Sequence, residues 1–362
     1  MSGHYDIVIL GLSLSSSWGN GHATTYRALI HGLQTHGQRV LFLERDVPWY
    51  ASSRDLPNPD FCTLDYYGSV AELLERHTET LRQAGAVIVG SYVPEGVAVI
   101  DALSAMALPN WHFYDIDTPV TLAKLGRGDE EYLARRQIPL FDSYLSFSGG
   151  PLLRRLETEF GARAALPLYC SVDADRYGPT GEAQEWDLGY LGTYSPDRQP
   201  ALERLLLEPA RQMPERRFVV AGSQFPADIV WPDNVERIEH LPPSEHRSFY
   251  NRQRFTLNVT RADMIAAGWS PSVRLFEAGA CGTPLIGDIW EGLDQMFPSG
   301  SIVLALDTAT VIRTLRDTTD AERNAMATAA RRHVLAEHTA TARAGELLAI
   351  LGKHAQAIRP SA

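Results

Sequence analysis

Short apolar segments that alternate with helical ones constrain the fold of this chain more than any other feature. Ile7–Gly11 carries no polar side chain, as expected for a strand of a parallel sheet that helices cover on both faces. The same alternation begins again at Leu188–Leu191. It predicts the α/β class, with two doubly wound, Rossmann-like domains. The predicted strands are Ile7–Gly11, Arg39–Leu43, Ala86–Val89, Trp111–Tyr114, Tyr144–Phe147, Leu188–Leu191, Phe218–Gly222, Val235–His240, Phe255–Val259, Leu285–Gly287 and Ile302–Leu306.

The length of the chain also favours two domains. Its 362 residues exceed the roughly 100–200 of one ordinary domain. The stretch 167–187 has little apolar periodicity and contains the turn-forming run GPTG, so we place the linker there. Because open parallel sheets bind ligands at the carboxyl ends of their strands, we expect the two domains to face a cleft. The predicted division is an N-terminal domain at 1–175, a C-terminal domain at 176–340, and a terminal helix and tail at 341–362.

Charge and cysteine content narrow the class of partner. The formal charge of −11 argues against stable binding of nucleic acid or of an anionic membrane. Cys62, Cys170 and Cys281 lie far apart without metal-ligand spacing, which suits a reducing cytoplasm. No apolar run approaches the roughly 18 residues of a transmembrane segment, and the first residues lead straight into a strand. We expect a cytoplasmic protein that binds small ligands; the oligomeric state stays open.

The segment 257–293 contains the densest set of chemically useful residues. Asn258, Thr260 and Arg261 follow a predicted strand, and a loop leads from them to a helix that Ser270 or Ser272 can cap. Free N–H groups at the start of that helix favour an anionic ligand.

Two charged residues near the start of this helix extend the argument. Arg274 can hold a phosphate group, and Glu277, three residues later, can accept hydrogen bonds from ribose hydroxyls. Diphosphate and ribose make up most of a nucleotide sugar, so the segment predicts a nucleotide-sugar site. The alternative is an intrahelical ion pair between the two side chains.

The same segment resembles the C-terminal half of GT-B glycosyltransferases, and more narrowly the CgeB-like family. The resemblance covers most of the chain, with lower specificity in the first half. The residues that carry it are Asn258, Thr260, Arg261, Ser270-Pro271-Ser272, Arg274-Leu275-Phe276-Glu277, Cys281-Gly282-Thr283-Pro284, Asp288, Trp290, Gly292 and Leu293.

The resemblance implies a glycosyltransferase that uses a nucleotide-diphosphate sugar, such as a UDP-, dTDP- or GDP-sugar, and no other cofactor. It implies an acceptor-binding first domain, a donor-binding second domain, and a last helix that crosses back to the first domain. Many retaining relatives carry two glutamates here with seven residues between them. Glu277 matches the second, and Trp269 stands where the first would be, so contacts to the sugar hydroxyls do not transfer. The implied donor-binding residues are Gly192, Thr193, Arg198, Gly222, His240, Leu241, Asn258, Thr260, Arg261, Ser270, Ser272, Arg274 and Glu277.

The first half contains a loop that superficially resembles a dinucleotide-binding loop. Gly19 and Gly21 stand far from the strand end, and Thr24 occupies the place of the third glycine. Glu44 nevertheless lies where a ribose-binding acid would, so an NAD-dependent oxidoreductase or a nucleotide-sugar epimerase is the alternative enzyme. If the chain is a glycosyltransferase, the predicted acceptor-side residues are Trp18, Gly19, Asn20, Gly21, Glu44 and Asp46.

Three residues of the first half are candidates for a general base that activates a hydroxyl acceptor. His22 begins a helix beside this loop, and Asp115 and Asp117 end a strand. A packing role for His22 and a capping role for Asp117 are the alternatives.

The chain also lacks several motifs of other enzyme classes. No GxSxG, HExxH or GxxxxGK[ST] motif occurs, which disfavours hydrolases of those types and P-loop ATPases. Asp115-Ile116-Asp117 lies in the wrong half to serve the donor diphosphate through a metal, so we expect metal-independent transfer. A non-catalytic sugar-nucleotide-binding protein is the alternative outside enzymes.

Overall fold

The computed structural model describes residues 4–19, 21–108 and 110–358, with side chains up to residue 353. The chain divides into two compact units. Unit 1 comprises residues 1–171 and 340–362, and unit 2 comprises residues 172–339. Each unit contains one parallel sheet with helices, which confirms the α/β class and the two Rossmann-like domains.

Unit 1 contains a seven-stranded sheet in the order β3-β2-β1-β4-β5-β6-β7 within the part of the chain that the structure describes. Neighbouring strands are parallel throughout. The central strands are wholly buried because their apolar side chains meet helices on both faces. The strands are β1 Ile7–Gly11, β2 Val40–Arg45, β3 Thr63–Tyr67, β4 Ala86–Gly90, β5 Trp111–Asp115, β6 Ser143–Ser146 and β7 Ala165–Pro167.

The helices of unit 1 follow the strands in alternation. Ser69 caps one of them by accepting a hydrogen bond from the Glu72 N–H at 3.1 Å. These helices are α1 His22–Thr35, α2 Pro48–Ala51, α3 Val70–Gln83, α4 Gly96–Ser104, α5 Thr118–Gly126, α6 Pro151–Thr158 and the C-terminal α15 Ala340–Ile358, with a 3₁₀ helix at Arg135–Leu140.

Unit 2 contains a six-stranded parallel sheet in the order β10-β9-β8-β11-β12-β13 among the described residues. Its core joins the inner strands to the helices that follow them, with Leu188, Leu206, Phe218 and Phe255 all buried. The strands are β8 Trp186–Leu191, β9 Phe218–Ala221, β10 Val235–Ile238, β11 Gln253–Asn258, β12 Leu285–Gly287 and β13 Ile302–Leu304.

The helices of unit 2 include one that starts from a reciprocal cap. Thr319 and Glu322 form a capping box, in which each side chain accepts from the other residue's N–H. The helices are α7 Gln199–Leu202, α8 Glu208–Gln212, α9 His246–Asn251, α10 Ala262–Ala267, α11 Val273–Cys281, α12 Leu293–Met296, α13 Thr308–Asp317 and α14 Asp320–Glu337, with a π turn at Glu203–Leu207 and a 3₁₀ turn at Pro243–Glu245.

The structure differs from the sequence expectation at the sheet edges. Strand β3 was not expected, because its polar Thr63 and Asp65 leave no apolar run to detect. The C-terminal helical stretch breaks twice, and its last helix belongs to unit 1. There the Leu351 carbonyl accepts a hydrogen bond from Asn110 Nδ2 at 3.3 Å. None of the described helices has the length and apolar character needed to cross a bilayer.

Candidate functional site

The strand order of unit 2 creates a point where the chain leaves the sheet in opposite directions. Strand β8 pairs with β9 on one side and with β11 on the other. The loops after Leu191 and Asn258 therefore diverge and leave a crevice at the carboxyl edge, the usual ligand position in such sheets. Three predicted donor residues, Gly192, Thr193 and Arg261, lie on these two loops.

Arg274 binds the two loops together at this edge. Its helix, α11, is capped by Ser272, whose Oγ accepts from Arg274 Nε at 3.0 Å. Arg274 Nη1 donates to the Leu191 carbonyl at 2.6 Å, and Nη2 donates to the Val259 carbonyl at 3.2 Å. A guanidinium has five N–H groups, so two remain for a ligand after these three bonds. Of the two capping candidates, the structure uses Ser272.

Two further arginines, Arg198 and Arg261, lie near Arg274 and add positive charge to this edge. Arg198 Nη2 donates to the Thr193 carbonyl at 2.6 Å, while its Nε is buried without a partner among the described residues. Burial lowers the pKa of Arg198, and the positive charges of Arg274 and Arg261 lower it further. The Arg261 side chain makes no hydrogen bond or ion pair with any described residue.

The three arginines share one property that decides what this edge can bind. None of them forms an ion pair with a carboxylate anywhere in the described chain. Positive charges gathered in a partly buried place repel one another unless a counter-charge is present. An anionic ligand with several oxygen atoms supplies that counter-charge.

Close backbone packing shapes the same crevice. Gly222, which follows β9, has φ +148°, and a Cβ atom there would overlap the Gly192 carbonyl. The position therefore requires glycine. Gly192 and Gly222, both predicted as donor-binding residues, lie together at the carboxyl edge.

A carboxylate that the sequence reasoning did not select braces the loop after β11. Asp288 Oδ2 accepts from the Thr260 N–H at 2.6 Å, and Oδ1 accepts from Thr260 Oγ1 at 2.7 Å. Asn258 Nδ2 donates in turn to Thr260 Oγ1 at 3.3 Å. Burial raises the pKa of Asp288, and the bonds from Thr260 oppose that rise. Asp288 stands among the matched family residues, a signal that would have identified it.

Asp197 is a second residue that sequence reasoning missed. Its Oδ2 accepts from the Ala262 N–H at 2.9 Å, and the Ser195 hydroxyl donates to its Oδ1. These bonds join the loop that carries Arg198 to the loop that carries Arg261, so Asp197 fixes the spacing of two of the arginines.

Glu277 is buried and contacts α9, and its assignment to the ribose stays a prediction. Its side chain is 2% exposed, and Oε2 accepts from Tyr250 Oη at 3.1 Å and lies 3.8 Å from His246 Nδ1. Burial raises the pKa of Glu277, but hydrogen bonds from His246, Tyr177 and Tyr250 outweigh burial and lower it overall. The carboxylate anchors α11 to α9 and makes no ion pair with Arg274, so the intrahelical pair is absent.

The remaining predicted donor residues are Ser270, His240 and Leu241. Ser270 is buried and donates to the Gly268 carbonyl at 2.8 Å. His240 is exposed after β10, two strands from β8, and the Leu241 carbonyl lies 3.3 Å from His246 Nε2. Their assignment to the donor site stays a prediction.

The crevice also has an aromatic flank that the sequence did not reveal. The Arg237 guanidinium carbon lies 4.4 Å from the ring centroid of Phe225 and 4.3 Å from that of Trp231. Its Nη2 donates to the Gly222 carbonyl at 3.0 Å. Arg237 therefore holds the glycine loop against two rings.

In unit 1, the loop after β1 is held by a buried carboxylate. Glu44 is wholly buried, and its Oε2 accepts from the N–H groups of Leu14 at 2.6 Å and Ser15 at 2.9 Å. Its Oε1 accepts from the hydroxyls of Ser15 at 2.6 Å and Ser13 at 3.2 Å. Glu44 thus fixes the loop from within, a function that sequence reasoning did not assign to it.

The remaining acceptor-side residues are exposed around this loop. Trp18 is 57% exposed, Gly19 has φ +67°, and Gly21 directly precedes α1. Asp46 forms an ion pair with Arg54 at 2.7 Å. Asn20 lies outside the described residues.

The structure brings two of the three candidate bases together. His22 Nε2 lies 3.7 Å from Asp117 Oδ2, and His22 Nδ1 is buried without a partner among the described residues. Asp117 precedes α5, but its side chain does not cap that helix, so the carboxylate faces the imidazole instead. Tyr92, whose backbone has φ +62°, meets the His22 ring edge-on at 5.1 Å. A non-glycine residue in this conformation is strained, and such strain often marks functional positions.

Asp115 is separated from this pair by its burial. It is 0% exposed, and its carboxylate accepts from Tyr144 Oη, from Thr121 Oγ1 at 2.8 Å and from the Asp117 N–H at 3.1 Å. Burial raises the pKa of Asp115 to about 6, although these hydrogen bonds oppose the rise. The carboxylate braces β5, β6 and α5 and is a less accessible base than His22.

Comparison with known proteins defines the class. Residues 198–349 match the family of glycosyl transferase-like proteins. The matched region holds Arg198, Arg261 and Arg274. No curated protein sequence matches the chain. Taken as a whole, the chain has the two-domain α/β architecture of GT-B proteins.

Solved structures of low sequence identity share this fold over nearly the whole chain. Sucrose-phosphate synthase from Thermosynechococcus elongatus is 14% identical with a TM-score of 0.74, covering 97% of this chain and 100% of its own. HepE from Anabaena, in complex with UDP, is 13% identical with a TM-score of 0.70, covering 96% and 100%. An alpha-glucosyltransferase in complex with UDP-glucose and DNA is 13% identical with a TM-score of 0.71, covering 97% and 100%. At these identities the likeness shows the fold.

Proposed function

We propose that the protein is a glycosyltransferase that moves a sugar from a nucleotide-diphosphate donor to a hydroxyl group of an acceptor. The donor binds to unit 2, and its diphosphate lies against Arg198, Arg261 and Arg274. The transfer is of the hexosyl type and needs no metal. The narrower assignment to the CgeB-like family is part of the proposal, as is a cytoplasmic location.

The observation that carries the proposal is the group of three arginines, none of which forms an ion pair with a carboxylate of the described residues. They lie at the carboxyl edge of the unit 2 sheet, beside the start of α11, where the positive end of the helix dipole adds to the positive potential. A departing nucleoside diphosphate develops negative charge, and guanidinium groups fixed in advance stabilise it. Solved structures of this fold hold UDP or UDP-glucose, which makes UDP-sugars the first donors to test.

The acceptor is proposed to be activated by His22 with Asp117 as its partner. A carboxylate beside an imidazole stabilises the imidazolium that forms when the base takes a proton. His22 Nδ1, which is buried without a partner among the described residues, is the nitrogen proposed to meet the acceptor hydroxyl. This assignment applies to an inverting reaction, because a retaining enzyme needs no base in that position.

The two alternative functions, an NAD-dependent enzyme and a non-catalytic binding protein, place different requirements on the residues of the chain. An NAD-dependent enzyme needs Glu44 free for a ribose, and all the hydrogen-bonding capacity described for that carboxylate is directed to residues 13–15. A non-catalytic binding protein would keep the arginines and lose turnover. No observation favours either alternative over transfer.

The test is a donor screen in two stages. Binding of UDP, dTDP, GDP and NAD is measured by calorimetry, and hydrolysis of the matching nucleotide sugars is then followed by mass spectrometry with and without EDTA. We expect a nucleoside diphosphate to bind and its sugar ester to be hydrolysed slowly, in EDTA as well. Binding of NAD alone contradicts the proposal, and nucleotide binding without turnover on any acceptor supports the non-catalytic alternative.

A further inference from the structure

A second cavity lies in unit 2 at the opposite edge of the sheet from the arginines. It has a volume of about 350 Å³. Gln253, which opens β11, and Thr283, which precedes β12, lie at its floor, so it occupies the amino edge. Strand β11 has six residues, which separates the two edges by about 15–20 Å. The nucleotide site proposed above leaves this cavity unexplained.

Gln253 is a buried residue whose side-chain amide is only partly hydrogen-bonded among the described residues. It is 1% exposed, and Nε2 donates to the Phe249 carbonyl at 2.9 Å. Its Oε1 has no partner among the described residues. The amide fits only because Gly189 has no side chain, since a Cβ there would overlap it. An unpaired buried amide oxygen costs about 1–3 kcal/mol, so a group that donates to it is favoured.

The wall of the cavity provides a cation without a counter-charge. Asn324, Thr328 and Arg331 line it from one face of α14, at positions i, i+4 and i+7. Arg331 Nε donates to the Ala280 carbonyl at 3.1 Å, and the guanidinium forms no ion pair with a described carboxylate. Its two terminal amino groups are left for an anion.

The rest of the lining favours hydroxyl groups over apolar ones. Asn324 contributes an amide, Thr283 contributes a hydroxyl that donates to the Tyr250 carbonyl at 2.8 Å, and Glu182 contributes a carboxylate. Glu182 accepts from the hydroxyls of Ser248 at 2.6 Å and Thr180 at 2.5 Å, which shows that it binds hydroxyls in this setting. A ligand here needs an anionic end for Arg331 and hydroxyls for the remaining lining.

We propose that this cavity is a second ligand-binding site, separate from the nucleotide site, for a small polyhydroxylated phosphomonoester of the sugar-phosphate class. The phosphate lies against Arg331, and the hydroxyls bind the amides and hydroxyls of the lining. The volume of about 350 Å³ is at the lower end of the range of small-molecule sites.

The test uses the full chain and calorimetry with three probes: ribose 5-phosphate, ribose and inorganic phosphate. Arg331→Met removes the charge and keeps much of the side-chain length. Arg332→Met is the matched control, because Arg332 is exposed on the same helix and does not line the cavity. Gln253→Met removes the amide at similar volume and provides a second test. Retained UDP affinity and an unchanged circular dichroism spectrum show that each variant is folded.

We expect ribose 5-phosphate to bind at least tenfold more tightly than either ribose or phosphate. Arg331→Met weakens that binding tenfold or more, Gln253→Met weakens it several-fold, and Arg332→Met leaves it unchanged. UDP affinity is the same in all three variants, so failure here is distinct from failure of the nucleotide site. Absence of binding up to about 10 mM overturns the proposal. Equal binding of inorganic phosphate, displacement by UDP, or wild-type binding by Arg331→Met overturns it as well.

Discussion

Arg261→Met tests the nucleotide site most cleanly, because no hydrogen bond or ion pair with a described residue is lost when the Arg261 side chain is replaced. Arg274 holds two strand ends through carbonyl groups, and Arg198 holds the Thr193 carbonyl, so changing either alters both structure and charge. The Arg261 side chain has no hydrogen bond or ion pair within the described chain. Its loss removes positive charge from the crevice and leaves the loops bonded.

The expected effects on binding and on stability have opposite signs. A hydrogen bond to a charged group contributes about 1.5–3 kcal/mol, and half-exposure of Arg261 favours the lower end. The dissociation constant for UDP is therefore expected to rise by about tenfold. Because Arg261 and Arg198 repel each other in the free protein, the free energy of unfolding without ligand should stay the same or rise by about 0.5 kcal/mol.

Calorimetry with UDP and chemical denaturation of the free protein measure the two quantities. Arg332→Met, which makes the same side-chain change at an exposed position of α14, should alter neither. Raising the salt concentration should weaken UDP binding more in the wild type than in Arg261→Met, since fewer charges act in the variant. An unchanged UDP affinity refutes the reasoning. Weaker binding together with a lower free energy of unfolding also refutes it, since Arg261 would then be structural.

Three more predictions concern unit 1. His22→Ala or Asp117→Asn should lower turnover by about 10²–10⁴-fold and leave UDP affinity unchanged, as steady-state kinetics and calorimetry can show; a loss confined to UDP affinity would contradict the proposed base. Asp115 has its pKa raised to about 6 in the folded protein, so its protonated form is favoured there and its contribution to stability is lost as pH rises from about 4 to 6. Asp115→Asn should remove that decline, which amounts to about 3 kcal/mol, from denaturation curves measured across this range; an unchanged pH profile would show that Asp115 does not titrate as described. Glu44→Gln leaves at least one loop N–H group without its acceptor and should lower the free energy of unfolding by about 2–3 kcal/mol in urea denaturation; a change below about 0.5 kcal/mol would mean that the loop does not depend on this carboxylate.

The sequence predicts the fold well where strands are buried on both faces. Ile7–Gly11 and Leu285–Gly287 have the predicted bounds, because every residue in a covered parallel strand must be apolar or small. The edge strands Thr63–Tyr67 and Ala165–Pro167 were missed. An edge strand with one exposed side tolerates polar residues, and a three-residue strand has too little pattern to recognise.

The sequence predicts the candidate site less completely, because the spacing of two residues along a helix does not reveal which distant residues their side chains contact. Arg274 and Glu277 are three residues apart and were both expected to hold the donor. The structure directs Arg274 to the carbonyls of Leu191 and Val259, and directs Glu277 to Tyr250 on α9. Those partners are distant in sequence and become neighbours only through the order of strands in the sheet.

A cation that binds a ligand differs from a structural cation by what surrounds it, and a sequence does not show this. Arg27 and Arg261 are the same residue beside similar polar loops. In the structure Arg27 donates two hydrogen bonds to Asp55 at 2.8 Å each and one to the Leu14 carbonyl at 2.9 Å, so its charge is neutralised within the fold. Arg261 has no such partner among the described residues, and its neighbours Arg198 and Arg274 add to the unbalanced charge. Because the repulsion among these three charges opposes folding, a bound anion is the simplest reason for leaving them without ion pairs.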